Sequence, residues 1–538
     1  MNKGSCFNSK LKFFVGAPVK SILLLIAMII IVSPAYAATV YMGPSEQYTN
    51  LQAAMKGMSG GDTLIIRDGI YTGTSNSITN SVHPPSGSSG SFTTIRAEHP
   101  RYVTFDGQGT NNMFYVDGNS AGNVNWVKFS GIIWGRSSSS DVVFIQGTTA
   151  IHNSHIYFTQ CGFFDGGLAA STSTNGLNIR RTDYALVEDC YVWGELYYGM
   201  LMEMCSYSIF RRCVGRYDIH RGARGGIIGV YSSSNMEVQN CIAIDCDQDT
   251  YYTAISEYIY AFAYPTTDGA STNIHNRGNI ALNLKSTGKI VSGLISSNGG
   301  GSGFTFDDVV FWDTSGGFWD RVTGTAFNHC IFGKSGGSGI SEGLASDNNG
   351  PMNNSIILDN TTYGAKSTSD YNIYYNNGTN FHNSSAGVHD YCSQKSNAIN
   401  PRANSLLYLT RVESGSNLSN IGSGVERIGP RILNIIGGTG TFYGDTGYNT
   451  ESSTSLWPFP NEGIIKNQFA AYTGNSHGSA IGARGFCAGT SKDGSAQTLT
   501  KYIWEYLGNQ IPSSIYGATV DYTSPSSPTG VKARIINQ

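Results

Sequence analysis

The densest group of chemically active residues lies between Arg216 and Arg224. These nine positions hold three arginines, a histidine and an aspartate, although only 13% of the chain is charged. Arginines can neutralise an acidic ligand, and a histidine oriented by an aspartate can transfer protons. We therefore expect catalytic roles for four members of this cluster, namely Asp218, His220, Arg221 and Arg224.

Three aspartates follow closely behind this cluster. Asp245, Asp247 and Asp249 alternate with other residues along the chain. Ca²⁺ is a hard cation that prefers several carboxylate oxygens, so the three residues are candidate ligands for a Ca²⁺ cofactor. Charged loop residues are also commonly solvated or paired with neighbouring charges, and the sequence leaves both interpretations open.

A second group of candidates becomes visible when three short apolar segments are aligned. The segments end at Arg180, Glu203 and Tyr231. Successive side chains of a strand point to opposite faces, and this alignment places the three polar ends outward in one column. A guanidinium, a carboxyl group and a phenol can together bind an anion and transfer protons, so we include all three among the catalytic candidates.

Aromatic residues accompany these candidates in the same part of the chain. Their rings can stack on sugar rings, or they can form ordinary stacks along the surface of the fold. On the first interpretation, the predicted substrate-binding residues are Arg216, Tyr217, Trp193, Tyr198 and Tyr251.

The element that must position these residues is a repeated pair of strands centred on a cysteine. A short apolar strand, two polar residues and a cysteine that opens a second strand recur at Cys161, Cys190, Cys213 and Cys241, with spacings of 29, 23 and 28 residues. Repeats of this length, made of strands with no helical pattern, indicate stacked coils of a β-solenoid. We expect these cysteines and Cys330 to form a buried ladder of free thiols. Disulfides between stacked neighbours are the alternative.

The ends of a solenoid must be covered, because its open core and its edge strands would otherwise meet water. We assign a cap with a short helix before the coils and a wrap with short helices after them. The predicted boundaries are 1–37 for a signal peptide, 38–60 for the cap, 61–429 for the coils, 430–517 for the wrap and 518–538 for a linker-like tail.

The first 37 residues predict export. Four lysines precede the apolar run at 22–32, and Ala35-Tyr-Ala37 is a small-residue cleavage site. The run is too short for the ~20 residues of a membrane-spanning helix. We therefore expect a secreted, periplasmic or cell-surface monomer with no membrane span after cleavage. Loss of the four lysines changes the net charge from −3 to −7, which argues against nucleic acid as a partner.

Two motifs near the N-terminus carry a resemblance to known proteins. GDTLIIRDGIYTG begins at Gly61, and TTIRAEHPRYVTFDGQG begins at Thr93. Together they resemble the opening of secreted right-handed parallel β-helix proteins, especially the alginate lyase and chondroitinase B group of polysaccharide lyases. The resemblance implies an all-β, single-stranded right-handed parallel β-helix. That group uses a lysine base with an arginine, whereas this chain has no lysine between Lys128 and Lys285, so an arginine or histidine would have to replace it.

These observations lead to two hypotheses about function. The first is an exported protein that binds an acidic polysaccharide in a groove along the coils and cleaves it by β-elimination, or modifies it. Such cleavage requires a neutralised substrate carboxylate, removal of the C5 proton and protonation of the leaving oxygen. The second is a non-catalytic cell-surface or matrix protein that serves in adhesion or as an exopolysaccharide-associated scaffold. Whether the protein is an enzyme stays open at this point.

Overall fold

The computed structural model describes ten stretches of the chain. They are 37–168, 174–194, 197–218, 225–246, 259–285, 290–295, 300–336, 342–348, 350–474 and 482–516. The predicted signal peptide, apart from its last residue, and the predicted tail lie outside these stretches.

Three long sheets run side by side, and the chain visits them in turn. Within the described stretches the first sheet has 14 strands, the second 12 and the third 11. Neighbouring strands within each sheet are parallel. The strands of the first sheet are Thr39–Met42, Thr63–Ile66, Thr93–Ala97, Asn125–Ser130, Asn153–Thr159, Thr182–Asp183, Leu186–Glu188, Ser206–Arg211, Ser234–Gln239, Ser271–Arg277, Gly301–Asp307, Ala326–Asn328, Pro351–Asn353 and Thr368–Asp370.

The second sheet consists of Gly69–Tyr71, Val103–Asp106, Ile132–Gly135, Gly162–Phe164, Tyr191–Trp193, Val214–Gly215, Ile242–Ile244, Ile280–Leu284, Val310–Thr314, Ile331–Gly333, Ile356–Leu358 and Ile373–Tyr375. The third consists of Tyr115–Asp117, Val143–Gln146, Leu177–Arg180, Tyr198–Glu203, Gly225–Tyr231, Ile259–Tyr264, Ile290–Ile295, Gly316–Asp320, Glu342–Ser346, Tyr363–Lys366 and Thr379–Phe381. From Tyr115 onward the coils contribute strands to all three sheets, one coil adding two short strands to the first sheet, and the predicted parallel β-helix is confirmed.

The helices are short, and they lie outside the three long sheets. The α-helices are Leu51–Lys56, Gly118–Ala121, Glu462–Ala470 and Leu499–Glu505. Short 3₁₀ turns occur at Thr74–Asn76, Ser393–Lys395, Pro401–Ala403, Ser423–Val425 and Gly485–Cys487, and Asn434–Ile436 pairs antiparallel with Glu451–Ser455. Leu51–Lys56 is the predicted cap helix, and the Asn50 side chain accepts a hydrogen bond from its first turn. Among the described residues, no helix has the length and apolar content needed to cross a bilayer.

The coils extend over a different span from the predicted 61–429. Thr39–Met42 already pairs in register with Thr63–Ile66, and the last strand of the long sheets ends at Phe381. The apolar residues that follow, such as Leu406 and Leu418, pack on the outside of the second sheet and do not form another coil. We name residues 390–474 and 482–516 the C-terminal segment.

The thiol ladder lies inside the coils as predicted. Cys161, Cys190, Cys213, Cys241 and Cys330 are buried and form no disulfide. The backbone N–H of Cys161 donates to the Cys190 sulfur across 3.4 Å, which shows that these two members lie one coil apart. Next to this ladder, inward aromatic rings also stack between coils, for example Phe129 and Phe158 with ring centroids 4.8 Å apart.

Left-handed turns connect the first sheet to the second. Asp189, Asn240 and Asn354 occupy this turn with φ of 54°, 51° and 50°. Asn and Asp tolerate this conformation better than most residues. Arg212 adopts a similar φ of 50°, although its side chain gives it no such tolerance, and its guanidinium is bound to Asp189 across 2.7 Å.

Candidate functional site

The outer face of the second sheet is apolar, although the outer face of a solenoid that meets water is expected to be polar. One outward column reads Ile133, Gly162, Tyr191, Val214, Ile242, Ile280, Val310, Ile331, Ile356 and Ile373 along successive coils. The C-terminal segment covers this face with buried side chains that include Leu456, Phe469 and Trp504. Full burial of a side chain of this size contributes roughly 1.5–3 kcal/mol, so the cover is part of the folded unit.

Acidic residues at the end of the second sheet attach this cover. The Tyr472 hydroxyl donates to Asp165 across 2.7 Å, and the Tyr506 hydroxyl donates to Asp313 across 2.7 Å. Asp245 lies between them in the chain and accepts from the Tyr502 hydroxyl at 2.9 Å. These aspartates thus lie at the ends of strands of the second sheet. They bind the protein's own C-terminal segment.

The carboxylate of Asp245, a predicted metal ligand, therefore binds groups of the protein itself. It is buried, and its carboxylate also accepts from the Asn283 amide at 2.7 Å and from the backbone N–H of Phe486 at 2.7 Å. Burial raises the pKa of the Asp245 carboxyl, although these donors oppose the shift. Asp247 and Asp249 lie outside the described residues, so Ca²⁺ binding stays a prediction.

The structure also corrects the role predicted for Arg216. Its side chain is fully buried, pairs with Asp218 across 2.9 Å and lies 4.9 Å above the Phe469 ring. It donates to the backbone carbonyls of Phe469 and Gly482 at 2.9 and 3.0 Å. Arg216 therefore holds the C-terminal segment and presents no surface to a polymer.

Asp218 belongs to the same buried arrangement. It accepts from Arg484 across 2.6 Å and from the backbone N–H of Gly194 across 2.9 Å. The structure does not describe the neighbouring residues to which proton transfer and anion binding are assigned, namely His220, Arg221 and Arg224. Asp218 itself serves as the counter-ion of two arginines, and its task of orienting His220 stays a prediction.

Three of the predicted sugar-stacking aromatics are buried as well. The Tyr217 hydroxyl donates to the backbone carbonyls of Tyr197 and Gly226, both at 2.5 Å, inside the coil. Trp193 stacks on Phe164 with centroids 4.9 Å apart and is 3% exposed. Tyr198 is also 3% exposed. Trp193 thus belongs to an ordinary aromatic stack, as the alternative predicts, whereas Tyr198 lies in the apolar cluster on the outer face of the third sheet and Tyr217 lies in the core of the coils. Tyr251 lies outside the described residues.

The outward column predicted from the aligned segments is present on the third sheet. Arg180 is the register partner of Glu203, and Glu203 is the register partner of Tyr231. The Arg180 guanidinium lies 3.1 Å from the Glu203 carboxylate, with the two side chains 28% and 12% exposed. We call Arg180, Glu203 and Tyr231 the third-sheet triad.

The surroundings of the third-sheet triad shift the pKa values of its carboxyl and phenol groups. Burial raises the pKa of the Glu203 carboxyl, the neighbouring Arg180 opposes this, and the charge of Asp268 adds to it. Burial likewise raises the pKa of the Tyr231 phenol. A carboxyl group with a raised pKa is better suited to exchange protons near neutral pH than an ordinary glutamate.

The same column continues through the preceding coils and adds residues that sequence reasoning missed. Gln146 is the register partner of Arg180, and its amide donates to Asp117 across 2.6 Å. Two positions earlier on the same strands, Tyr115 and Phe144 stack with centroids 4.9 Å apart, and Tyr115 is 38% exposed. The sequence alignment that pairs Arg180 with Glu203 could have been extended backward to the strands Tyr115–Asp117 and Val143–Gln146, where it would have indicated these residues.

The predicted catalytic residues that the structure describes therefore fall into two places. Asp218 precedes the strand Gly225–Tyr231, whereas Tyr231 ends it. A seven-residue strand is about 23 Å long at ~3.3 Å per residue. The structure brings Arg180, Glu203 and Tyr231 together and keeps Asp218 away from them.

Comparisons with known proteins extend to the fold alone. No family model matches the chain, and no curated protein sequence matches it. Solved structures that resemble it include pectate lyase Pel9A, at 15% identity and a TM-score of 0.40 over 73% of this chain and 96% of that one. The A-module of Azotobacter vinelandii mannuronan C-5 epimerase AlgE6 has 10% identity and a TM-score of 0.43, over 63% and 92%. A mannuronic acid specific family 6 polysaccharide lyase from human gut microbiota has 12% identity and a TM-score of 0.35, over 64% and 82%.

Proposed function

We propose that the protein binds an extended acidic polysaccharide along the outer face of the third sheet and cleaves it by β-elimination. The observation that carries the proposal is the third-sheet triad, a guanidinium, a carboxyl group and a phenol on successive coils of one outward column, each of them half-buried. Within the described residues, the apolar cluster on this face contains no member of the C-terminal segment, in contrast to the covered second sheet.

The dimensions of this face suit a polymer. From Tyr115 to Tyr231 the column crosses five successive strands, which is about 19 Å at ~4.8 Å per coil. The exposed Tyr115 ring lies at one end, and the third-sheet triad lies at the other. A chain of several sugar units can therefore contact both.

The proposed chemistry assigns one task to each group. Arg180 binds the uronate carboxylate and stabilises the charge that develops when the C5 proton leaves. Glu203 and Tyr231 transfer protons, one accepting the C5 proton and the other supplying a proton to the leaving oxygen as the C4–O bond breaks and a C4=C5 bond forms. His220, Arg221 and Arg224 stay candidates for the same reaction. Export, a monomeric state and a Ca²⁺ cofactor are further parts of the proposal.

Replacement of Arg180 with glutamine tests this function most directly. We expect a loss of about 10²-fold in kcat/KM on the polymer that the protein cleaves, because a donor to developing charge is removed. The measurement is the ultraviolet absorbance of the unsaturated product with alginate, pectate and chondroitin, each with and without Ca²⁺. Arg96→Gln is the matched control, because Arg96 lies on the first sheet. Full activity of Arg180→Gln, Glu203→Gln and Tyr231→Phe would contradict the assignment.

Replacement of Tyr115 with alanine tests the binding face separately from the chemistry. We expect several-fold weaker binding of the polymer and a higher KM with little change in kcat, because Tyr115 lies about four coils from Tyr231. Tyr102→Ala is the control, since Tyr102 is also exposed, at 54%, but lies outside the third sheet. Equal effects of the two variants would remove the third sheet as the binding face.

One observation favours the non-catalytic alternative. The Arg180 guanidinium already has a carboxylate partner in Glu203, so part of its charge is balanced before a ligand arrives. A protein that binds a glycan without cleaving it would give polymer binding that depends on Tyr115 and no unsaturated product from any substrate.

A further inference from the structure

A cavity of about 630 Å³ opens on the C-terminal segment, away from the third sheet. Three arginines line it, Arg411, Arg427 and Arg431, together with the carboxylate of Glu413. Its volume falls in the range of small-molecule sites. We name it the arginine pocket.

The three guanidinium groups keep N–H donors to spare. Each carries five. Arg411 spends two on Glu413, at 3.0 and 3.1 Å, Arg427 binds Asp308, and Arg431 binds Glu451 at 3.3 Å. The Nε of Arg427 is buried and meets no acceptor among the described residues.

Packing holds Arg411 before any ligand arrives. Its guanidinium lies 5.5 Å from the Tyr408 ring centre and 5.3 Å from that of Trp504. A stacked guanidinium is pre-organised for bidentate binding of a planar oxygen pair, so less freedom is lost when the contact forms. Ser419 and Asn420 also line the cavity and offer hydrogen-bonding groups for hydroxyls.

We propose that the arginine pocket binds a short acidic oligosaccharide through its carboxylate, as a second glycan site separate from the third sheet. Fork-shaped donors match a carboxylate, and the remaining volume and the hydroxyl and amide groups match a sugar ring rather than a bare anion. The carboxylate of Glu413 competes with the ligand for Arg411 and limits the affinity.

Isothermal titration of the full chain with digalacturonate, maltose and sodium sulfate tests the proposal. We expect saturable binding of digalacturonate, no binding of maltose, and weaker binding of sulfate. Arg431→Gln should weaken digalacturonate binding by ~10-fold, equivalent to about 1.4 kcal/mol. Glu413→Gln should tighten it, because the competing charge is gone. Arg431 is 48% exposed, so its loss should leave the urea midpoint unchanged.

Two controls separate this site from the others. Arg67→Gln removes an arginine that is 36% exposed and paired with Glu46 in the first coils, and it should change nothing. Arg180→Gln should leave the part of the digalacturonate binding that depends on Arg431 intact, so failure of the proposed function and failure of this site are distinguishable. Equal affinity for maltose or sulfate, binding that Arg431→Gln leaves unchanged, or binding that Arg180→Gln abolishes would overturn the proposal.

Discussion

Replacement of Glu188 with alanine should destabilise the fold by about 3–5 kcal/mol, the usual cost of removing one partner of a buried ion pair. Glu188 is fully buried and accepts from Arg211 at 3.0 Å, from Arg212 at 2.9 Å and from the Tyr157 hydroxyl at 2.7 Å. Arg212 would keep Asp189. Arg211 would keep neutral acceptors only, among them the backbone carbonyls of Gly438 and Tyr448.

Urea unfolding followed by fluorescence measures this loss, with the double variant Glu188→Leu/Arg211→Met as the control. Replacing both partners of a buried pair is often close to neutral, so the double variant should be more stable than Glu188→Ala. A double variant that is as unstable as the sum of its two single variants would show that the pair itself contributes nothing.

The same carboxylate should make the fold sensitive to acid. Burial of Glu188 opposes its ionisation, but Arg212, Tyr157 and Arg211 together hold the pKa of this carboxyl below its usual value. A lowered folded-state pKa means that the stabilisation is complete above the unfolded-state pKa of ~4.3 and is lost as the pH falls through the folded-state value. Stability of the wild type should therefore fall below about pH 4 more steeply than that of the double variant.

Replacement of Asp218 with alanine should release the C-terminal segment from the coils. Asp218 is fully buried and is the carboxylate partner of Arg216 and Arg484. Its loss leaves two buried guanidinium groups without this counter-ion, which again costs about 3–5 kcal/mol. Because the damage lies at the attachment of residues 482–487, local opening should precede global unfolding.

Limited proteolysis measures this release, and we expect cleavage within the C-terminal segment to become at least ~10-fold faster. Asp218→Asn retains a hydrogen-bond acceptor and should give an intermediate rate. Glu451→Gln removes the partner of Arg431 on the surface of the same segment, where the two side chains are 36% and 48% exposed, and it should behave as the wild type. Cleavage of Asp218→Ala at the wild-type rate would refute the view that this ion pair holds the segment.

Local patterns in the sequence predicted most of the coil architecture. The spacing of Cys161, Cys190 and Cys213 reports the repeat directly, and Asp189 and Asn240 mark turns whose backbone favours these residue types. The strands of the long sheets end at Phe381, whereas the prediction extends the coils to 429 because the apolar residues after Phe381 resemble strand residues in composition. Only their contacts with the second sheet show that they form a cover.

The same distinction explains the candidate site. Arg180, Glu203 and Tyr231 were found together because register between neighbouring coils is a local property. The roles of Arg216, Asp218 and Asp245 depend on Arg484, Phe486 and Tyr502, which lie more than two hundred residues later. No periodicity links such distant positions, so a charged cluster in the sequence could not be told from a buried attachment point. The outward isoleucines of the second sheet were the one visible sign that something had to cover it.

The apolar outward column of the second sheet has a consequence for biosynthesis. A ribosome completes every coil, through Phe381, before it has made the cover that ends near Tyr516. At a translation rate of ~5–20 residues per second, the apolar outer face of the second sheet stays uncovered in the nascent chain for on the order of ten seconds. Exposed strips of this kind recruit other chains, so a holding chaperone should improve the yield of this protein more than that of a solenoid whose outer columns are polar.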